Sequence, residues 1–326
     1  MRAVIITEPG GPEVLTIQDV ALPEPIGDQV RVRVRAAGLN RADILQRAGH
    51  YPAPPGSPSQ IPGLEFAGEV DAVGPLVHTW KAGQRVMGIV GSGAQAEYII
   101  SHEGLLVEIP DNLDFVQAAA VPEVFMTAHD ALFTQGGLQM GERVLIHAIG
   151  SGVGTAALQL SHNVGATIFG TSRTPQKLER AKALGLDVAL SGQDFAAQVK
   201  QHTHDEGVHV ILDFVGAAYM EQNLESLAAW GRLVFLATLG GVRANVNLGV
   251  VMSKRIQIRG STLRSRTLEE KLAVTRRFAT QVIPLLASKR IQPIIEEVYP
   301  FHEVAKAHVA IAENRNFGKL VLRIDS

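Results

Sequence analysis

The residues with the clearest chemical meaning are Gly150-Ser151-Gly152-Val153-Gly154. They follow the unbroken apolar run Val144-Leu145-Ile146-His147-Ala148 and precede a stretch with Val153, Ala156, Ala157, Leu160 and Val164 at helical spacing. A strand, a turn of small residues and a helix N-terminus make a pyrophosphate cradle. The free N–H groups and the positive end of the helix dipole face the anion, and small side chains let it approach. A strand-to-helix turn without a ligand is the alternative, and the βα repeats that follow favour the dinucleotide site. Proteins that hold NAD place Asp or Glu about 20 residues past such a turn, for the ribose hydroxyl. Here Thr171-Ser172-Arg173-Thr174 stands in that place, Lys177 follows, and no carboxylate appears before Glu179. Two cations and a hydroxyl suit a 2′-phosphate through charge-assisted hydrogen bonds. The expected cofactor is therefore NADPH, held by Ser151, Gly152, Val153, Ser172, Arg173 and Lys177. A solvated helix start with two ordinary surface cations is the competing reading.

Other chemistry is narrowed by what the chain lacks. Its 326 residues include no cysteine, which excludes disulfides, thiolate metal sites and thiol nucleophiles. His202 and His204 are two apart, hence on different helix faces, and read as solvated. His147 closes a strand and reads as a satisfied core residue. No nucleophile–base pair stands out. Thirty Lys and Arg against 32 Asp and Glu leave a net charge of −2, with no basic surplus pointing to nucleic acid. No apolar stretch approaches the ~20 residues of a membrane helix. The run Met1-Arg2-Ala3-Val4-Ile5-Ile6-Thr7 is too short for a signal-peptide core. The chain reads as soluble, unprocessed and cytoplasmic.

The elements that must position the turn follow from periodicity. The first third is β-rich. Val30-Arg31-Val32-Arg33-Val34-Arg35-Ala36 alternates apolar and charged residues, as a half-buried strand does. Residues 51–62 are a Pro, Gly and Ser-rich loop, 66–74 a strand ending at a turn, and 96–100 another strand. Beyond Pro122 strands and helices alternate. Strands are expected at 144–148, 167–171, 208–215, 233–237 and 256–260. A helix is expected from Thr174-Pro175 to a stop at Gly185, and another over 219–229. This order predicts a doubly wound parallel sheet. Thr267-Leu268-Glu269-Glu270 is a capping box opening a long helix, and residues 319–324 read as a strand able to return to the first domain.

With the turn placed, the whole chain resembles the medium-chain dehydrogenase/reductase superfamily, and within it the zinc-independent quinone oxidoreductases. The carrying residues include Pro9-Gly10-Gly11-Pro12-Glu13, Asn40-Arg41-Ala42-Asp43, Gly49-His50-Tyr51-Pro52, Gly63-Leu64-Glu65-Phe66-Ala67-Gly68 and Gly93-Ala94-Gln95-Ala96-Glu97-Tyr98. Ala118-Ala119-Ala120-Val121-Pro122-Glu123, Leu263-Arg264-Ser265-Arg266 and Asn316-Phe317-Gly318-Lys319 complete them. The subgroup with the human apoptosis-linked quinone reductase is the most similar. The resemblance implies an α/β protein: a GroES-like β-rich catalytic domain over residues 1–121, completed by 265–326, and a Rossmann domain over 122–264. It implies an active site in the cleft between them.

Zinc-dependent relatives carry Cys where this chain has Asn40 and His where it has Leu64, and a Cys-rich lobe where it has Gly88-Ile89-Val90-Gly91-Ser92-Gly93. A catalytic zinc needs about three protein ligands, and Glu65 alone cannot hold the ion. No metal is expected. Metal-free hydride transfer then suits conjugated acceptors such as quinones, whose charge delocalises onto a distal oxygen. By family position Asn40, Asp43 and Tyr51 line the cleft, and Tyr51 donates to an acceptor oxygen or a water. Thr127, Val215, Leu239, Gly240, Leu263, Ser265, Asn316 and Asn40 are the expected contacts on the rest of the cofactor. Two departures stand against the family pattern: Leu45 and Ser191 replace tyrosines of bacterial relatives. An NADPH:quinone reductase is the leading expectation. The others are a 2-alkenal or enone reductase, and an NADPH-binding sensor or RNA-binding protein with little turnover. A homodimer or dimer of dimers is expected, paired through residues 233–237 and the sheet edge at 255–258.

Overall fold

A computed structural model describes residues 1–324. The chain divides into one unit of Met1–Met126 with Leu263–Ser326, and a second of Thr127–Thr262. The first seam lies a few residues past the expected 121/122. Pro122–His129 is one helix, and the Glu123 N–H donates to Glu65 Oε2 at 2.8 Å within the first unit, so packing continues beyond the composition change at Pro122.

The first unit is built on a seven-stranded sheet. Its order runs Ile295–Pro300, Lys319–Arg323, Gln29–Gly38, Glu65–Val73, Arg85–Ile89 and Leu106–Glu108, with Tyr98–His102 also paired to Gln29–Gly38. The alternation read in 30–36 appears as Val30, Val32 and Val34 buried with arginines between them. Lys319–Arg323 returns to this sheet, Val321 opposite Gly38 and Leu322 opposite Ala37. The central strands bring Gly38 opposite Glu65. The core packs Val30, Val32, Phe66, Val86, Leu320 and Leu322 with the helix Val304–Ala312.

The second unit is a sheet of six parallel strands. Across it lie Val188–Ser191, Thr167–Ser172, Arg143–Ile146, Val208–Asp213, Leu227–Phe235 and Gln257–Gly260. Chain order reverses between Arg143–Ile146 and Val208–Asp213, the topological switch point at which open α/β sheets bind ligands. Ser151 N-caps the helix Gly152–Asn163 directly after the first of these strands. The fold class is thus the expected pairing of a β-rich and a doubly wound unit.

Two local expectations change. The helix at 219–229 stops early: it spans Met220–Ser226, and a strand begins at Leu227. Lys254 Nζ donates to the carbonyls of Leu224, Glu225 and Leu227, ending the helix from outside. Leu227 pairs with Val208 and Arg232 with Val210, so the intervening residues bulge out, Trp230 at φ +63°. Thr174 precedes the helix Pro175–Lys182 as expected, but its side chain makes no cap bond. The Thr174 N–H instead donates to Ser172 Oγ at 3.1 Å. The box at Thr267 and Glu270 does cap Leu268–Gln281. Among the described residues no helix is long and apolar enough to cross a membrane.

Candidate active site

The phosphate turn is built by close approach. A Cβ on Gly154 would lie 2.5 Å from the Ala148 carbonyl oxygen and 2.6 Å from that of Ile149, so only glycine lets this helix begin so near its strand. Ala148 itself takes φ +47° to make the corner. Ser151 Oγ accepts the Gly154 N–H at 3.0 Å as a cap, which leaves its hydroxyl proton to donate. The N–H groups of Gly152 and Val153 lie in the first turn, where helix geometry gives them no intrahelical acceptor and aims them along the axis. These two donors, both on partly exposed residues, are the groups able to hold a pyrophosphate.

At the end of the neighbouring strand, Ser172 is partly exposed and Arg173 exposed. Ser172 spends an acceptor on Thr174, which leaves its own O–H donor in place. Arg173 lies along Gly192, and its charge is felt at the Tyr219 phenol, which burial nevertheless holds above its ordinary pKa. Ser191 Oγ donates to the Gln193 carbonyl at 2.8 Å within its own turn. Lys177 stands in the first turn of the next helix, half-buried. Across the switch point two loops are tied together: the Gly240 N–H donates to the Val215 carbonyl at 2.7 Å, and the Leu239 N–H to that of Phe214 at 3.2 Å. Val215, Leu239 and Gly240 therefore form one structural feature, with Leu239 exposed.

Beneath both runs a buried polar chain that fixes their spacing. The Asn223 amide nitrogen donates to Asp213 Oδ2 at 2.8 Å, leaving its oxygen to accept from His147 Nε2 at 2.7 Å. His147 Nδ1 then accepts from the Thr171 hydroxyl at 2.9 Å. Asp213 Oδ1 takes the N–H groups of Val215 and Gly216. Burial pushes the His147 pKa down, against the pull of Asp213 and Asn223, so the ring is neutral. It is the satisfied core residue its position suggested. His202 and His204 are both exposed, on the end of a helix and its left-handed cap.

The first unit carries the densest charge cluster. Lys319 Nζ donates to the Leu39 carbonyl at 2.5 Å, Asn40 Oδ1 at 2.9 Å and Glu65 Oε1 at 2.6 Å, which uses all three ammonium protons. Asn40 Nδ2 returns to Glu65 Oε1 at 2.9 Å. Glu65 and Lys319 are both buried. A Cβ on Gly38 would meet Glu65 Oε1 at 2.4 Å and the Ala119 carbonyl oxygen at 2.5 Å, so the carboxylate depends on that glycine. Glu123 follows as the second residue of its helix, partly exposed, with burial and the Glu65 charge pushing its carboxyl up to about 8.

Asp43 departs from the expectation that it lines the cleft. It is fully buried, Oδ2 accepting the Asn40 N–H at 2.8 Å and Oδ1 the Gly63 N–H at 3.2 Å. Burial lifts its carboxyl to about 6 against these bonds and the charges of Lys319 and Arg264. It is a positioning residue, the reciprocal half of the capping box that starts Arg41–Arg47 at Asn40. Tyr51 is half-buried under the Arg264 guanidinium, whose carbon lies 4.8 Å from the ring centroid. Arg264 also donates to the carbonyls of Gly91 at 2.7 Å and Tyr51 at 3.1 Å, and to Gln46 Oε1. Burial raises the Tyr51 phenol pKa; Arg264 opposes this and Glu123 adds to it.

The residues named in advance thus fall into separate groups. Asn40, Asp43 and Tyr51 belong with the first-unit cluster. Ser151, Gly152, Val153, Ser172, Arg173, Lys177, Val215, Leu239 and Gly240 belong with the second unit. Leu263 is buried and Ser265 exposed in the first unit, where the Asn316 amide donates to the Gly318 carbonyl; Thr127 begins the second. Glu123, Glu65, Lys319 and Arg264 had no assigned role. For Glu65, Glu123 and Lys319 the signal is an ionisable residue set among apolar neighbours, which burial permits only with partners; Arg264, between Leu263 and Ser265, carries no such signal.

Residues 27–111 match the alcohol dehydrogenase GroES-like domain, and residues 152–280 match a model described as zinc-binding dehydrogenase. A GroES-like sheet joined to a parallel sheet with a dinucleotide turn defines a medium-chain dehydrogenase/reductase, an oxidoreductase superfamily that uses nicotinamide cofactors. The quinone oxidoreductase of Pseudomonas aeruginosa is 37% identical over 318 residues, covering 96% of both chains. That of Homo sapiens is 32% identical over 330 residues, covering 99% of this chain and 97% of the relative. The crystal structure of CurK enoyl reductase superposes with a TM-score of 0.90 at 27% identity, covering 99% of each chain. The chain belongs to the quinone oxidoreductases of this superfamily.

Proposed function

We propose that this protein is an NADPH-dependent quinone oxidoreductase that transfers hydride without a metal. The observation that carries the reading is the Lys319 ammonium, saturated by Leu39, Asn40 and Glu65. Zinc-dependent relatives carry Cys and His where Asn40 and Leu64 stand. Here the oxygens of Asn40 and Glu65 already serve a resident cation, and Leu64 offers no donor. The donor set does not fit zinc, whatever the description of the matching family model.

The second unit does fit a dinucleotide. Gly152 and Val153 offer the N–H pair for the pyrophosphate, and the tied loops at Val215 and Leu239-Gly240 frame the switch point. Arg173, Lys177 and Ser172 supply two positive charges and a hydroxyl for a 2′-phosphate. Bound there, the cofactor supplies hydride; the chain orients the acceptor and excludes water. Tyr51, clamped by Arg264, has a phenol that burial keeps protonated and able to donate. The likeness to an enoyl reductase structure favours activated alkenes as the second substrate class.

A panel of quinones and 2-alkenals with NADPH and NADH side by side tests this. Faster NADPH oxidation with quinones supports the reading, preference for alkenals supports the second class, and no turnover with tight cofactor binding rejects both. Arg173→Ala/Lys177→Ala is expected to raise the NADPH KM about tenfold or more, two charge-assisted contacts being lost, and to leave the NADH KM unchanged. Equal KM values in variant and wild type would sink the NADPH assignment.

The same proposal includes a homodimer or a dimer of dimers, and a cytoplasmic setting, which a cysteine-free chain suits. Leu233 and Val234 are fully buried and their strand is paired on both edges within the sheet, whereas Phe235, Leu236 and Ala237 are partly exposed. The edge strand Gln257–Gly260 remains, with exposed Ile258 and, on the neighbouring helix, exposed Leu248 and Met252. Ile258→Pro, which removes an edge N–H, is expected to shift the species seen by light scattering toward monomer.

A further inference from the structure

Glu123 occupies an unusual position for a carboxyl group. It is the second residue of Pro122–His129, and its backbone N–H is bound to Glu65 Oε2 at 2.8 Å, which fixes it beside a fully buried carboxylate. Its own carboxyl makes no hydrogen bond to a protein group among the described residues. Yet the residue keeps partial solvent access. A carboxyl used for structure would be paired, as Glu65 and Asp43 are. One that is crowded, unpaired and reachable suits proton exchange.

The charged groups that act on it are Glu65, Asp43, Lys319 and Arg264, with Lys271 and Tyr51 also in its field. Burial first, then the two carboxylates, push its pKa up; Lys319 and Arg264 pull it down, and the balance settles at about 8. Glu123 is accordingly an uncharged acid at neutral pH. Tyr51, the group we assign to face the acceptor, shares its electrostatic neighbourhood.

We infer that Glu123 is the proton donor of the reduction, passing its carboxyl proton to the acceptor oxygen that becomes negative when hydride arrives. The inference rests on the oxidoreductase reading above. Hydride brings two electrons and one proton to the quinone, giving a hydroquinonate anion. The Glu123 O–H bond breaks, an O–H bond forms on that anion, and the carboxylate left behind is reprotonated from solvent. The sum is one dinucleotide oxidised, one quinone reduced and one proton taken from water.

The test compares wild type with Glu123→Gln, which keeps the volume and removes the proton. Infrared difference spectra of the full-length protein without cofactor, recorded across pH, should show a protonated carboxyl disappearing with a midpoint near 8. Glu123→Gln should lack it. In turnover, kcat should fall about 100-fold in the variant with the NADPH KM unchanged. The wild-type decline of kcat above that midpoint should vanish. A wild-type spectrum without such a carboxyl overturns the inference, and so does a variant that keeps the wild-type kcat and pH profile. Wild type that turns over no conjugated acceptor overturns the oxidoreductase reading, and the donor role with it, and so differs from failure of the donor role alone.

Discussion

Lys319→Met is expected to destabilise the first unit by about 3–5 kcal/mol, the usual cost of removing one partner from a buried ion pair. Lys319 and Glu65 are 3% and 0% exposed, so neither charge can turn to water when the other is lost. The change also strands the Leu39 carbonyl and Asn40 Oδ1, which accept from the same ammonium. Asn40 would then be held only through its bond to Glu65 and its place in the capping box with Asp43. The damage should therefore spread from stability to the geometry of Arg41–Arg47. Urea denaturation, followed with probes for each unit, measures it. Adding Glu65→Gln should recover more than half of the loss, because a neutral amide no longer leaves a buried charge unpaired. A loss below about 1 kcal/mol, typical of an exposed pair, would show that the cluster is wetter than its burial implies.

Gly154→Ala should abolish most of the dinucleotide affinity while leaving the first unit intact. The added Cβ meets two backbone carbonyl oxygens, of Ala148 and Ile149, at 2.5 and 2.6 Å, and backbone cannot rotate aside as a side chain would. The helix must withdraw from its strand, carrying the Gly152 and Val153 N–H groups with it. Losing two hydrogen bonds to a charged phosphate, at about 1.5 kcal/mol each, predicts roughly 150-fold weaker binding. Titration calorimetry with NADPH and NADH reads this directly, and both cofactors should suffer alike because both carry the pyrophosphate. Retained affinity within threefold would mean that the anion is held elsewhere.

The two substitutions probe parts of the protein that differ in how openly the sequence displays them. The phosphate turn depends on neighbours in the chain. An apolar strand, small residues and a helical stripe lie within one short segment, and their roles follow from helix-end geometry. The capping box at Thr267 and the alternating strand around Val32 are local in the same way. The strand at Leu227 was hidden because its start is set from outside: Lys254 ends the preceding helix, and pairing with Val208 recruits residues that read as helical.

Asp43 and Glu123 show the same division at the site. The family pattern marks both, but their roles separate only once the chain folds. Asp43 is sealed by the N–H groups of Asn40 and Gly63, whereas Glu123, on a helix, stays partly exposed beside the Glu65 carboxylate of a strand far away in sequence. The sequence by itself determined the cradle, the alternation of elements and the cations beside the expected 2′-phosphate, because each rests on contacts a few residues long. The tertiary structure alone decided which carboxyl groups are charged, capped or free to exchange a proton. Desolvation and pairing depend on residues far apart in the chain, as when Lys319 closes on Leu39, Asn40 and Glu65.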